Sequence, residues 1–236
     1  MSSATDKLTV GVLGPVEVLR DGELLDLGGP QQRALIAHLA LDVGRVVPVE
    51  RLIDRLWGDD PPRTGLGTLQ SYVSRLRRVL EPDRTAGTAA QVLVSEAPGY
   101  ALRLPPEAID VHRFTAALGE ARRSAAAGYA AQALAQFDAA LALWRGPALA
   151  GVGPDEQVRP IVLRFEEERA LALEERFDAM LALGRHAEAV PALQAAVEEA
   201  PLREGLWAAL ALALYRSSRQ TEALRALSTA RTTLLD

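Results

Sequence analysis

The sequence predicts a two-part chain, with an α+β N-terminal domain over residues 1–104 and an all-α domain over residues 105–236. Three observations carry this. Short runs of alternating apolar residues lie between Leu8 and Leu27 and again between Gln91 and Leu104, which is the pattern of strands. Three segments between those runs carry apolar residues at helical spacing. From Asp110 onward the chain is rich in Ala and Leu at helical period, and it repeats itself at a fixed interval.

The elements follow in order. Leu8, Val10 and Val12 fall on one strand face, and Val16, Val18, Leu24, Leu25 and Leu27 continue the pattern. Gly14-Pro15 and Asp21-Gly22 supply turns. From Pro30 to Asp42 the period changes, with Leu35, Ile36, Leu39 and Ala40 at helical spacing. Pro30 suits the first turn of that helix and Gly44 its end. After a short extended piece at Val46-Val47, Val49, Leu52, Ile53 and Leu56 mark a second helix. Gly58 to Pro62 cannot continue it. A third helix runs from Thr64 to Glu81, stopped by Pro82-Asp83. Gln91–Ser95 and Tyr100–Leu104 then form two strands around Glu96-Ala97-Pro98-Gly99.

In the second half, Gly184, Ala189, Leu193 and Ala196 are matched 34 residues later by Ser218, Ala223, Leu227 and Ala230. Gly128, Ala133, Phe137 and Ala140 show the same internal spacing. This is the tetratricopeptide interval, with small residues where paired helices cross and larger apolar ones between them. A generic Ala-rich helical bundle remains the alternative. The gap from Ala133 to Ala189 exceeds one repeat, so an insertion falls between them, near Trp144–Pro147 and Gly151–Pro154.

Composition removes whole classes. With 49% hydrophobic and 24% charged residues the chain is an ordinary globular protein, not a disordered one. No apolar run reaches the ~18–20 residues that span a bilayer. Met1–Lys7 has no basic stretch leading into an apolar core, so no secretory signal is expected. The absence of Cys excludes disulfide scaffolds, zinc fingers, iron–sulfur centres and thiol chemistry. A cytoplasmic protein without cofactor or metal is the expectation. The three histidines, His38, His112 and His186, are not spaced as metal ligands on one helix. No Gly-x-Ser-x-Gly elbow or phosphate-binding glycine loop is present. Glu166–Glu168 and Glu174-Glu175 read as a solvated face paired to Arg at i,i+4. No enzyme is expected.

The third helix is the informative one. Leu69, Val73, Leu76 and Leu80 form one apolar stripe. At about 100° per residue the opposite face carries Thr68, Ser71, Ser74, Arg75 and Arg78, flanked by Tyr72 and Arg77. From Arg63 to Leu80 there are four Arg and no acid, a local +4 in a chain of net charge -5. Such a helix fits the major groove of double-stranded DNA, the alternative being a basic face kept for solvation alone. Its Arg side chains pair with guanine or phosphate, and its hydroxyls take phosphate oxygens. Residues 105–236 hold 14 basic and 18 acidic residues, so that half is repelled by phosphate and left free to meet protein.

Five stretches together resemble the OmpR-type winged helix-turn-helix domain, and closely the Streptomyces antibiotic regulatory protein (SARP) family. They are Gly11–Val16, Pro30–Leu35, Leu56-Trp57-Gly58 with Pro61-Pro62, Thr68–Arg77 and Pro98-Gly99-Tyr100. Residues 110–236 resemble the bacterial transcriptional activation domain that follows in that family, with tetratricopeptide-like helices. The resemblance implies an activator that binds direct repeats in promoters of secondary-metabolite genes, sits on the nucleoid and helps recruit RNA polymerase. Helix three then matches the recognition helix. Arg75 is the first candidate for base contact, and Arg63, Thr68, Ser71, Tyr72, Ser74, Arg77 and Arg78 are candidates for flanking or phosphate contact. The Gly58–Pro62 loop matches the one that touches polymerase, and Asp59 and Asp60 would meet a basic sigma-factor surface. The hairpin matches the wing, whose tip in the family carries a basic side chain; here Glu96-Ala97-Pro98 supplies a carboxylate instead. Direct repeats imply a head-to-tail dimer on DNA. The alternatives are a helical-repeat adaptor and the DNA-binding portion of a larger regulator, an alternative that the ending at Leu234-Leu235-Asp236, in the middle of the helical pattern, also suggests.

Overall fold

The computed structural model describes residues 8–85, 87–152 and 158–235. The Met1–Lys7 stretch, where no secretory signal is expected, part of the insertion at Gly153-Pro154 and the terminal Asp236 lie outside them. The chain forms two compact units, one of Met1–Thr115 with Leu143–Glu166, the other of Ala116–Ala142 with Glu167–Asp236. Periodicity placed a boundary after residue 104; by packing, residues 105–115 and 143–166 join the strand-bearing unit.

In the first unit, β1 (Leu8–Gly11), β2 (Glu17–Arg20) and β3 (Glu23–Leu24) make an antiparallel meander, with Val10 opposite Val18. The helix α1 (Pro30–Leu41) follows. Seven consecutive residues, Ala34 to Ala40, are buried, so α1 is the centre of this unit's core rather than an amphipathic surface helix. His38 within it is buried, as a packed histidine and not a solvent-facing base. Next come β4 (Val47–Pro48), α2 (Val49–Trp57) and α3 (Gly65–Leu80). The hairpin of β5 (Leu93–Glu96) and β6 (Gly99–Leu102) closes a second sheet in the order β4-β6-β5. The hairpin is tighter than its apolar pattern indicated, with only Ala97 and Pro98 at the tip. Gly99 has a steric reason: a Cβ there would collide with the Val47 carbonyl of β4.

A buried carboxylate ties the return segment to the first sheet. Asp110, at the start of α4 (Asp110–Ala126), accepts hydrogen bonds from the Val12 amide at 2.8 Å and the Leu13 amide at 3.0 Å. Arg145 from the insertion reaches the same carboxylate at 3.2 Å and Glu17 at 3.0 Å. The insertion's backbone joins in: Arg145, Leu149 and Ala150 amides donate to the Leu13, Val12 and Gly14 carbonyls. Trp144 meets Phe114 edge-on at 5.5 Å. These bonds explain why the interruption of the repeat belongs to the first unit.

The second unit is helical. It holds the end of α4, then α5 (Ala130–Leu141), the end of α6 (Arg159–Ala182), α7 (His186–Glu199), α8 (Glu204–Arg216) and α9 (Gln220–Leu235). Three turns share one geometry. Gly128, Gly184 and Ser218 all adopt positive φ, at 81°, 73° and 62°. The residue after each donates its amide five residues back, from Tyr129 to Ser124, Arg185 to Met180 and Arg219 to Leu214. This is the Schellman closure of a helix end. The repeated positions Ala189, Leu193, Ala196, Ala223 and Ala230 are buried, but Leu227 is 51% exposed. Leu193 is covered by a following helix, and among the described residues none follows α9.

Three carboxylates of the acidic run of α6 pair with arginines outside that helix, not with the arginines four residues away that its spacing suggested. Glu167 and Glu174 both hold Arg203, at the head of α8, and Glu175 pairs with Arg122 of α4. Arg203 carries five potential donors in a plane, so it satisfies two carboxylates from one position. Their hydrogen bonds raise its pKa, and the bond to Arg203 lowers that of Glu167.

Candidate nucleic-acid interface

Helix α3 buries Gly65, Leu69, Val73, Leu76 and Leu80, the expected stripe with one glycine added. Gly65 lies against Ile53, Pro61 and Pro62, which lets the helix start close to α2. At the other end Arg20 of β2 donates to the carbonyls of Val79 and Leu80 at 3.0 and 2.9 Å. Those carbonyls have no partner within the helix, and a cation also suits the negative end of the helix dipole. The helix is therefore anchored along its length and at its last turn.

The outward face carries Gly67, Gln70, Ser71, Ser74, Arg75 and Arg78. Among the described residues Arg75 and Arg78 make no hydrogen bond or ion pair, and Arg63, exposed in the turn before the helix, makes none either. Their guanidinium donors are all available. Gln70 was not singled out by composition or charge, yet it lies four residues before Ser74 and eight before Arg78, on one row of the helix. An outward amide is the group that reads adenine in two bonds. Ser71 Oγ turns back to the Gly67 carbonyl at 2.9 Å.

Three candidates stand elsewhere. Thr68 is half-buried at the edge of the face. Tyr72 stacks on Trp57 of α2, ring centres 6.1 Å apart and 29° between planes, so its ring is part of the α2–α3 contact. Arg77 is committed to the hairpin. Its Nε donates to the Leu93 carbonyl at 2.7 Å, its Nη2 to Ser95 Oγ at 2.8 Å, and its guanidinium lies 5.9 Å from the Tyr100 ring centre. Burial there lowers its pKa from the ordinary arginine value. Equal helical spacing does not distinguish Arg77 from Arg78; the presence of β5 beside it does.

At the hairpin tip the Glu96 carboxylate pairs with Arg103, whose other nitrogen donates to the Gly44 carbonyl. The tip thus presents Ala97 and Pro98 with its nearest carboxylate already neutralised. Asp59 and Asp60 are exposed in the loop between α2 and α3, where Gly58 turns the chain at φ 55°. Among the described residues no group of three or more His, Asp and Glu side chains is placed to hold a metal. No described helix is long and apolar enough to cross a membrane.

Residues 109–236 match the family model described as bacterial transcriptional activator domain, and residues 23–102 match transcriptional regulatory protein, C terminal. The chain is 46% identical over 231 residues to the regulatory protein AfsR of Streptomyces coelicolor, covering 97% of this chain and 22% of that one. It is 38% identical to the regulatory protein DnrI of Streptomyces peucetius, covering 97% of this chain and 85% of that one. Among solved structures it resembles Mycobacterium tuberculosis EmbR in complex with a low-affinity phosphopeptide. The TM-score is 0.91 at 38% identity, over 97% of this chain and 60% of that one.

Proposed function

The chain belongs to the Streptomyces antibiotic regulatory protein family of transcriptional regulators, and from that premise we propose that it is a promoter-binding activator whose α3 reads the major groove. One observation carries the reading: Arg75, Arg78 and Gln70 leave the anchored helix α3 on a single exposed face, and among the described residues neither Arg spends a donor on the protein. A surface held only for solubility has no need of that segregation on a helix bare of acids. Arg75 and Gln70 contact base edges; Arg63 and Arg78 neutralise phosphates, with Ser71, Ser74 and Thr68 beside them. Arg77 and Tyr72 support the helix from its flanks.

The operator is a direct repeat in the promoter of secondary-metabolite genes, bound head-to-tail by two copies in the cytoplasm, on the nucleoid. Asp59 and Asp60 meet a basic surface of RNA polymerase, its sigma factor included. Domain roles follow the periodicity boundary, with DNA binding in residues 1–104 and activation in residues 105–236. The chain spans 22% of the length of AfsR, so these partners are proposed for the described part alone.

Gel-shift titration and run-off transcription on one template test this. Arg75→Ala is expected to weaken specific binding by about 1–3 kcal/mol and relax preference at one base pair. Asp59→Ala with Asp60→Ala is expected to keep binding and lower transcription. An unchanged specific-to-non-specific ratio in Arg75→Ala would remove α3 from base reading and leave the helical-repeat adaptor. Equal loss of binding and transcription in the double variant would remove the loop from polymerase contact.

A further inference from the structure

The base-reading Arg75 does not stand free on its helix. Its guanidinium lies against the turn that joins β3 to α1, and that turn has an unusual vacancy. Gly28 adopts φ +90°, and a Cβ there would stand 3.0 Å from Arg75 Cζ, 3.1 Å from Nε and 3.2 Å from Nη2. Those separations are shorter than ordinary van der Waals contact, so any side chain at position 28 would push the guanidinium away. The turn itself is held: the Gly28 amide donates to Asp26 Oδ1 at 2.9 Å, and Gly29 caps α1, receiving the Gln32 and Arg33 amides. Pro30 fixes the first helical residue behind it.

We propose that Gly28 is a positioning residue for recognition, a bare turn on which the flat face of Arg75 rests so that its donors are aimed before DNA arrives. The inference rests on α3 being the reading helix. A free Arg side chain samples many rotamers, and ordering it on binding costs affinity for every sequence. A guanidinium supported on one face keeps its in-plane donors, which are the ones that meet guanine O6 and N7 in two parallel bonds. The turn makes no hydrogen bond to Arg75, so the support restricts direction without consuming a donor. Glycine meets both demands: position 28 has a left-handed backbone, and a Cβ there would require the guanidinium to shift by a few tenths of an ångström.

The test is a double-mutant cycle read on DNA. The probe is a duplex enriched from a random-sequence library on the immobilised full chain, with poly(dI-dC) as the non-specific reference. Gly28→Ala is expected to lower the specific-to-non-specific ratio about fivefold, and to do so by less than about twofold once Arg75→Ala is present. Gly22→Ala is the control for backbone strain alone: Gly22 has φ +84° and nothing within 4 Å of an added Cβ. It is expected to lower stability similarly and leave the ratio unchanged. Should Gly28→Ala not fold, Gly28→Asn carries the same Cβ with less left-handed strain. Equal losses from Gly28→Ala with and without Arg75, or a ratio lowered as much by Gly22→Ala, would overturn the positioning role and leave the reading helix standing. An Arg75→Ala variant with an undiminished ratio would overturn both.

Discussion

In the helical unit one bond pattern is used three times, at Gly128, Gly184 and Ser218, each a left-handed residue followed by an amide that reaches back five positions. Among the described residues of the strand-bearing unit no junction repeats another. Arg20 caps α3 from β2, Arg77 braces the hairpin from α3, and Arg145 binds Asp110 and Glu17 across long stretches of sequence. The contrast concerns how a chain specifies a shape. A local closure depends on a few consecutive residues, so repeating the residues repeats the shape. A brace between distant segments depends on both ends, and neither end announces it.

The contrast is sharpest at Asp110. Its buried carboxylate gathers two backbone amides and Arg145, so Asp110→Ala is expected to lose about 3 kcal/mol of stability. Arg145→Ala should lose only about 1 kcal/mol, because Asp110 keeps its amides and the Arg is partly solvated. Urea denaturation followed by tryptophan fluorescence measures both. Equal losses would mean that the charge pair, not the amides, ties the segments.

A second pair divides neighbours on α3. Arg77→Ala is expected to lower stability by about 1–2 kcal/mol through its two hairpin bonds, leaving the salt dependence of DNA binding unchanged. Arg78→Ala should keep stability and reduce the salt slope by about 1. Thermal melts and gel shifts at several salt concentrations separate the two; a changed slope for Arg77→Ala would place it on phosphate.

The repeat offers a symmetrical test. Gly184→Ala is expected to lose about 1 kcal/mol, since its Cβ meets nothing and only the φ of 73° is strained. Ser218→Gly should gain about 0.5 kcal/mol at the equivalent turn. A gain from both would show that the turns are not equivalent.

The smallest effect depends on pH. Asp178 borders a cleft of about 520 Å³ between α4, α5 and α6. Partial desolvation there, with Glu174 and Glu175 adding like charge, raises its pKa above the ordinary 3.8. The folded form thus binds this proton more tightly than the unfolded chain, and stability falls as pH rises from 3.8 through the raised value. Asp178→Asn should raise the melting temperature at pH 7 by about 1–2 °C and lose that advantage below pH 3.8. An advantage constant with pH would assign the gain to packing instead.

Periodicity and punctuation alone determined the order of elements, the buried stripe of α3 and the positions of the repeated turns. Each of these rests on residues within a few positions of one another: Leu69, Val73, Leu76 and Leu80 share a face wherever the helix lies, and Gly184 ends a helix whatever surrounds it. Of the candidate interface, the same arithmetic located Arg75 and Arg78 on the outward face and contained Gln70 without marking it, since an amide adds nothing to a count of charge. What each arginine does was decided by the tertiary structure. Arg75 and Arg77 lie two residues apart in one basic run, yet one rests on Gly28 and the other is bonded to β5. The membership of residues 143–166 in the first unit was likewise illegible, because it depends on Asp110 meeting the amides of Val12 and Leu13 nearly a hundred residues away. A helical period sorts side chains by direction from their own axis; which neighbour waits in that direction is set only when distant segments of the chain close on each other.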